Sequence, residues 1–191
     1  VRDILKLADI AKEARSIIKK GEILIDGKVR KDHAYPAGLF DVISIPKLKK
    51  NYRIVPYANG LQLIEIPEKE SNLKICKIEN KTVVKKNRLQ LNLNDGKNIL
   101  VDDGKYKTGD SLLLELPSLK IIQHIPLEKG SLGIVSKGSN AGKTGEVKEI
   151  ISGKMKEQAK IVCDIEGRAQ DILKDRFFII GEDKPLIKVS E

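Results

Sequence analysis

The chain has 191 residues, 33% of them charged and only 4% aromatic, with no tryptophan. That composition excludes one large core built on big side chains and favours two or three small domains with aliphatic interiors. Lys and Arg number 36 against 27 Asp and Glu, a net charge of +9 that suits a partner bearing phosphates or another anionic surface.

Cys76 and Cys163 lie far apart with no C-x-x-C, which excludes a zinc knuckle and a disulfide framework. Both read as small buried hydrophobes in a reducing compartment. No apolar run reaches the length of a membrane span and no signal peptide opens the chain, so the sequence predicts a cytoplasmic protein with no membrane partner. The start at Val1 hints at a fragment.

From Ile4 to Ile18 the apolar residues keep helical spacing, with Asp9 placed mid-run as an N-cap. Two short helices are expected, the second running to about Lys20 and closed by Gly21. Lys12, Arg15 and Lys19 share its other face, which is either a solvated charged stripe or an RNA-facing one. Next, "EILIDGKVRK" is a hairpin around Asp26-Gly27, the dipeptide of a type I′ turn, and a third strand follows over about 41–45.

Helix, hairpin and strand in this order resemble the small RNA-binding module named after ribosomal protein S-four. The likeness rests on Arg2-Asp3, Ala14-Arg15, "KKGEILIDGKVR", Gly38 and "DVISI". It departs from the common pattern at Ile10-Ala11, where many members carry a Ser-Arg pair.

"PKLKKN", residues 46–51, is basic, proline-led and without periodicity, and reads as a linker. Over 51–125, short period-2 runs alternate with turns such as Asn94-Asp95-Gly96, predicting a compact all-β domain, barrel or sandwich. No catalytic constellation stands out there. His33 and His124 read as structural or surface residues.

"VSKGSNAGKTGEV", residues 135–147, resembles a phosphate-binding P-loop in its second half only. Lys137 stands where the first glycine belongs, and Gly145 interrupts the helix that should follow Thr144. A strand, a glycine-rich basic loop and a second strand fit better. That pattern resembles the KOW motif of small β-barrels in ribosomal proteins and transcription elongation factors. Gly145 would be its signature glycine, with Gly138 and Gly142 shaping the loop and Lys137, Asn140 and Lys143 facing RNA. A tight structural hairpin reads the same way locally. "KIVCDI" and "DRFFIIG" supply further strands.

Taken together, the order of modules resembles the S-four-e family of small-subunit ribosomal proteins, in its archaeal form, over essentially the whole chain. The resemblance implies an α+β, mainly β fold. Its parts would be a small α-plus-hairpin RNA-binding module at 1–46, a central all-β barrel-like domain at 51–125, a KOW-type small β-barrel at 126–185 and a tail at 186–191. It also implies that a basic segment would precede Val1 in a full-length member.

The implied function is structural: a ribosomal constituent that binds small-subunit rRNA, with neighbouring ribosomal proteins as further partners. The first module would use Lys12, Arg15, Lys19, Lys20, Lys28 and Arg30, and the loop Lys137, Asn140 and Lys143. No enzyme activity, metal, cofactor or small-molecule substrate is expected, and the protein would be a monomer off the ribosome. Rival classes are an exchangeable KOW-containing transcription or translation factor, an RNA-modifying enzyme and a nucleotide hydrolase.

Overall fold

A computed structural model describes residues 1–58, 60–153 and 158–190. Among the described residues one α-helix, α1, spans Ala11–Lys19 and is followed by β1 (Leu24–Ile25), β2 (Lys28–Val29), β3 (Val42–Ile45), β4 (Lys50–Tyr57) and β5 (Gly60–Ile66). The second group is β6 (Leu73–Val84), β7 (Arg88–Leu93), β8 (Asn98–Val101), β9 (Ser111–Glu115) and β10 (Lys120–Ile125). The third is β11 (Leu132–Val135), β12 (Thr144–Ile151), β13 (Lys160–Ile165), β14 (Arg168–Leu173) and β15 (Phe177–Gly181). Three five-stranded antiparallel sheets result, ordered β2-β1-β3-β4-β5, β10-β9-β6-β7-β8 and β14-β13-β12-β11-β15.

Two sequence expectations change at the N-terminus. The first short helix is only a turn, closed by the Lys6 N–H donating to the Arg2 carbonyl at 3.1 Å, because Lys6 takes a left-handed backbone (φ 50°) that a helix cannot continue through. Asp9 is not the cap of α1. Ile10 occupies that position in extended geometry, and the Glu13 carboxylate turns back to accept the Asp9 and Ile10 N–H groups at 3.2 and 3.5 Å. The type I′ turn forms as the sequence reads it, with φ of 51° at Asp26 and 72° at Gly27.

The expected linker at 46–51 is instead a connection inside a sheet. Pro46–Leu48 makes one 3-10 turn, Lys49 turns left-handed (φ 52°), and β4 pairs straight back on β3 with Ile45 opposite Lys50. β5 pairs with β4 from Asn51↔Ile66 to Tyr57↔Gly60. The hairpin sheet therefore continues through Ile66, and the second sheet begins at β6. Likewise the stretch from 186 is not a loose polar end: Ile187 and Val189 are buried in the main core.

That core is shared. Phe40 of the first unit meets Phe178 of the third edge-on at 5.4 Å, and Ile75, Leu113 and Ile125 of the second sheet join the same cluster as Phe177, Ile179 and Val147. A smaller cluster fills the second sheet around Ile78, Leu91 and Leu112, and another lies under Val42, Val55 and Ile64. Among the described residues no ladder joins β14 to β15 or β8 to β10, so the hydrogen bonding is that of open sheets.

Gly133 in β11 is required by packing. A Cβ there would lie 2.2 Å from the Phe177 ring and 2.7 Å from the Phe178 carbonyl oxygen. Gly133→Ala is expected to destabilise the chain by about 1–3 kcal/mol, as overpacking of a filled core does. A lowered urea midpoint with unchanged slope checks it; an unchanged midpoint would show that the ring has room to move.

Candidate nucleic-acid interface

α1 has no fully buried residue. Ala14, Ile17 and Ile18 are half-buried and dock it, leaving Lys12, Arg15, Lys19 and Lys20 exposed on the rest of its surface. These four residues with Ser16 line one shallow cleft, so the structure does bring the expected stripe together. None of the four side chains has a hydrogen bond or ion pair among the described residues. Such a face offers charge without competing internal partners.

The hairpin residues divide. Lys28 is exposed on β2, whereas Arg30 is half-buried with its guanidinium 4.0 Å from the Tyr35 ring centroid, and its Nε lacks a partner. Stacking on Tyr35 fixes the group's plane.

The glycine loop between β11 and β12 is locked onto the protein itself. Val135 N–H donates to the Lys143 carbonyl at 3.0 Å and Gly142 N–H to the Val135 carbonyl at 2.9 Å. Asn140 donates its amide to Gln170, and the Lys143 ammonium pairs with Glu166 at 2.8 Å. Only Lys137 of the three is exposed and unpartnered among the described residues. The glycines serve internal close approach: a Cβ on Gly142 (φ 86°) would meet the Pro56 carbonyl at 2.8 Å, and one on Gly145 the Asp164 carbonyl at 2.7 Å. Gly138 (φ 102°) turns the loop beside Arg176. Thr144 starts a strand, so no helix N-terminus faces the loop and the phosphate-cradle geometry is absent there.

What sequence reasoning missed is a buried charge cluster behind these surfaces. The Lys74 ammonium, on a fully buried side chain of β6, lies 2.8 Å from Asp26, 2.5 Å from Asp41 and 2.8 Å from Asp95. Lys97 adds contacts of 2.5 Å to Asp26 and 3.0 Å to Asp95. Asp26 and Asp95 belong to two Asp-Gly turns, at 26–27 and 95–96, and both turns converge on one lysine. The three carboxylates have the spacing of a cation site, and the ammonium occupies its centre.

Burial alone would push the Lys74 pKa down; the carboxylates outweigh it and hold the ammonium well above the usual lysine value. Burial alone would raise Asp95, yet the hydrogen bond from Lys74 brings it down to about 2. His124 has Nε2 2.7 Å from Asp110 and lies edge-on to Tyr106.

Two more buried cations stitch the units. Arg53 of β4 reaches Glu70 at 2.7 Å and the Leu73 and Lys188 carbonyls at 3.0 Å. Lys77 of β6 donates to the Lys174, Asp175 and Phe177 carbonyls at 2.8, 3.0 and 3.2 Å, and burial pushes its pKa down to about 8.

An exposed basic face on α1 and buried ionic groups committed to internal joints are the charged features of this surface and its interior. Comparison with known proteins gives the family. The profile described as "Ribosomal family S4e" matches residues 48–121. "Small ribosomal subunit protein eS4" of Methanothermobacter thermautotrophicus is 44% identical over 99% of this chain and 78% of its own length. The Archaeoglobus fulgidus protein of the same name is 44% identical over 100% of this chain and 81% of its own. The crystal structure of 30S ribosomal protein S4e from Thermoplasma acidophilum superposes with a TM-score of 0.82 at 30% identity, over 95% of this chain and 92% of that one. The chain belongs to the S4e family of ribosomal proteins and is of its archaeal type.

Lys74→Met removes the central cation and leaves the three buried carboxylates with the partly exposed Lys97 ammonium, which pairs with Asp26 and Asp95. A loss of about 3–5 kcal/mol at neutral pH is expected, as for breaking any buried pair from one side. The pH dependence follows in sign. In the parent, Asp95 is ionised with a depressed pKa, so its stabilisation is complete above about pH 4 and is lost as pH falls from there toward 2. In the variant the crowded carboxylates are easier to protonate than in the unfolded chain, so acid relieves them and the deficit narrows. Urea unfolding at pH 7 and pH 4 measures this; a deficit constant across that range would contradict it.

Proposed function

We propose that the chain is a structural constituent of the small ribosomal subunit, resident on cytoplasmic ribosomes, that binds rRNA through basic residues on separate units. The observation that carries this reading is near full-length similarity to archaeal small-subunit proteins eS4, joined to an exposed, internally unpartnered basic face on α1. Its mechanism is placement. Lys12, Arg15, Lys19 and Lys20, with Lys28 on the hairpin, neutralise phosphates of one rRNA segment, while Lys137 faces another from the β11–β12 loop.

The finer architecture belongs to the same proposal: an S-four-type RNA-binding module built on α1 and the Asp26-Gly27 hairpin, whose sheet continues through β5, a central all-β unit from β6 to β10, and a KOW-type unit built on β11 to β15. The helix, the Asp26-Gly27 hairpin and the two strands flanking the glycine loop support it. Lys143 and Asn140 reach RNA only by giving up Glu166 and Gln170, so Lys137 is the stronger loop contact in this reading. Small-subunit rRNA and neighbouring ribosomal proteins are the partners, the free chain is a monomer, and no catalytic role is assigned.

Phosphate binding releases counterions, so the logarithm of the association constant falls linearly with the logarithm of salt. Replacing Lys12, Arg15 and Lys19 together by Ala is expected to flatten that slope by about two to three units on small-subunit rRNA. Thermal stability should change by no more than about 0.5 kcal/mol per exposed site. A folded triple variant with the parent slope would show that the stripe is only solvated.

A further inference from the structure

The distal half of β6 pairs with β7, flanked on its other side by β8, in an arm whose chemistry differs from the rest of the surface. β6 pairs with β9 only from Leu73 to Lys77; past the irregularity between Ile78 and Asn80 it pairs with β7 as far as Val84↔Arg88. β8 pairs with β7 from Leu89 to Asn92, so the Val84↔Arg88 pair and the turn that joins it extend past β8. A 3-10 turn over Lys85–Asn87 closes it, with Asn87 left-handed (φ 56°).

No acidic residue occurs from Asn80 through Asn94. One face of the arm carries Asn80, Thr82 and Val84 opposite Asn92, Gln90 and Arg88, since directly paired residues share a side. Gln90 donates its amide to Asn92 at 2.9 Å and Asn92 donates to Thr82 at 3.2 Å, which orients a ladder of uncharged polar groups. Lys85 and Arg88 are exposed at the tip, and neither has a hydrogen-bonding or ionic partner among the described residues.

A solvated edge is kept unpaired and soluble by charges of either sign. Here one sign is missing. Amides and hydroxyls that both donate and accept match ribose 2′-hydroxyls, and cations at the end of the ladder match phosphates.

We propose that this arm is a separate RNA-binding site, in which Lys85 and Arg88 contact phosphates and the Thr82, Gln90 and Asn92 ladder lies along the ribose edge of an rRNA segment. The inference rests on the ribosomal reading and assigns an RNA contact to the central unit, where the sequence pointed to none. It makes the chain a clamp with contacts on α1 and on the β6–β7 tip.

The test uses the full chain bound to deproteinised small-subunit rRNA. A chelated iron tethered through Val83→Cys on the arm, or through Lys19→Cys on α1, generates hydroxyl radicals that cut nearby RNA; Val83 is 66% exposed, while both native cysteines are buried and escape labelling. The arm tether is expected to cut rRNA at nucleotides distinct from those cut from α1. In parallel, Lys85→Ala with Arg88→Ala should flatten the salt slope by about 1.4–1.8 units. Cuts from α1 alone, with the parent slope in the double variant, overturn the arm site while the ribosomal reading stands. Cuts from neither position overturn both.

Discussion

One ammonium holds the architecture to its register. Lys74 sits where the turn between β1 and β2, the start of β3 and the turn between β7 and β8 come together, and each sends it one carboxylate. Asp26 also accepts the Val42 N–H at 3.1 Å, Asp41 the Gly38 N–H at 2.8 Å and Asp95 the Lys97 N–H at 3.0 Å. Each carboxylate thus fixes its own loop with one oxygen and the shared cation with the other. The hairpin unit and the second sheet cannot slide past one another without leaving a buried charge exposed to apolar surroundings.

Arg53 and Lys77 repeat the device at the other joints, against carbonyl oxygens as well as a carboxylate. Removing a cation from water is costly, and apolar contact would bind these surfaces as strongly. What a directional cation adds is a single relative placement. In the role proposed above, holding RNA segments in fixed relation, placement is what matters, and the proposed contacts on α1 and the β6–β7 arm are only as well positioned as the joints behind them.

Local signals in the chain were legible wherever the backbone itself decides. Asp26-Gly27 reads as a type I′ turn because its conformation demands that pair, and Gly145 after Thr144 reads as a strand start because the run is too short for a helix. The exposed helix stripe follows from spacing alone. The joints were not legible, because Lys74, Arg53 and Lys77 sit in strands as ordinary polar residues and their partners lie 17 to 135 positions away. The aspartates of both turns were visible, but turn preference already accounted for them. The glycine loop misled in the opposite way: Gly142 and Gly145 looked free to approach a phosphate chain, yet they are filled by Pro56 and Asp164 of the protein's own backbone.

The account turns on whether the first two units open together. Native-state hydrogen exchange reads this from two buried amides: Ile54, which donates to the Asp41 carbonyl, and Ile78, which donates to the Asp110 carbonyl. If Lys74 couples the units, both amides exchange through one opening of the same free energy in the parent chain, and Lys74→Met separates them, with Ile54 opening first. Independent opening of Ile54 in the parent, at a lower free energy than Ile78, would contradict the claim that this buried charge holds the units in register.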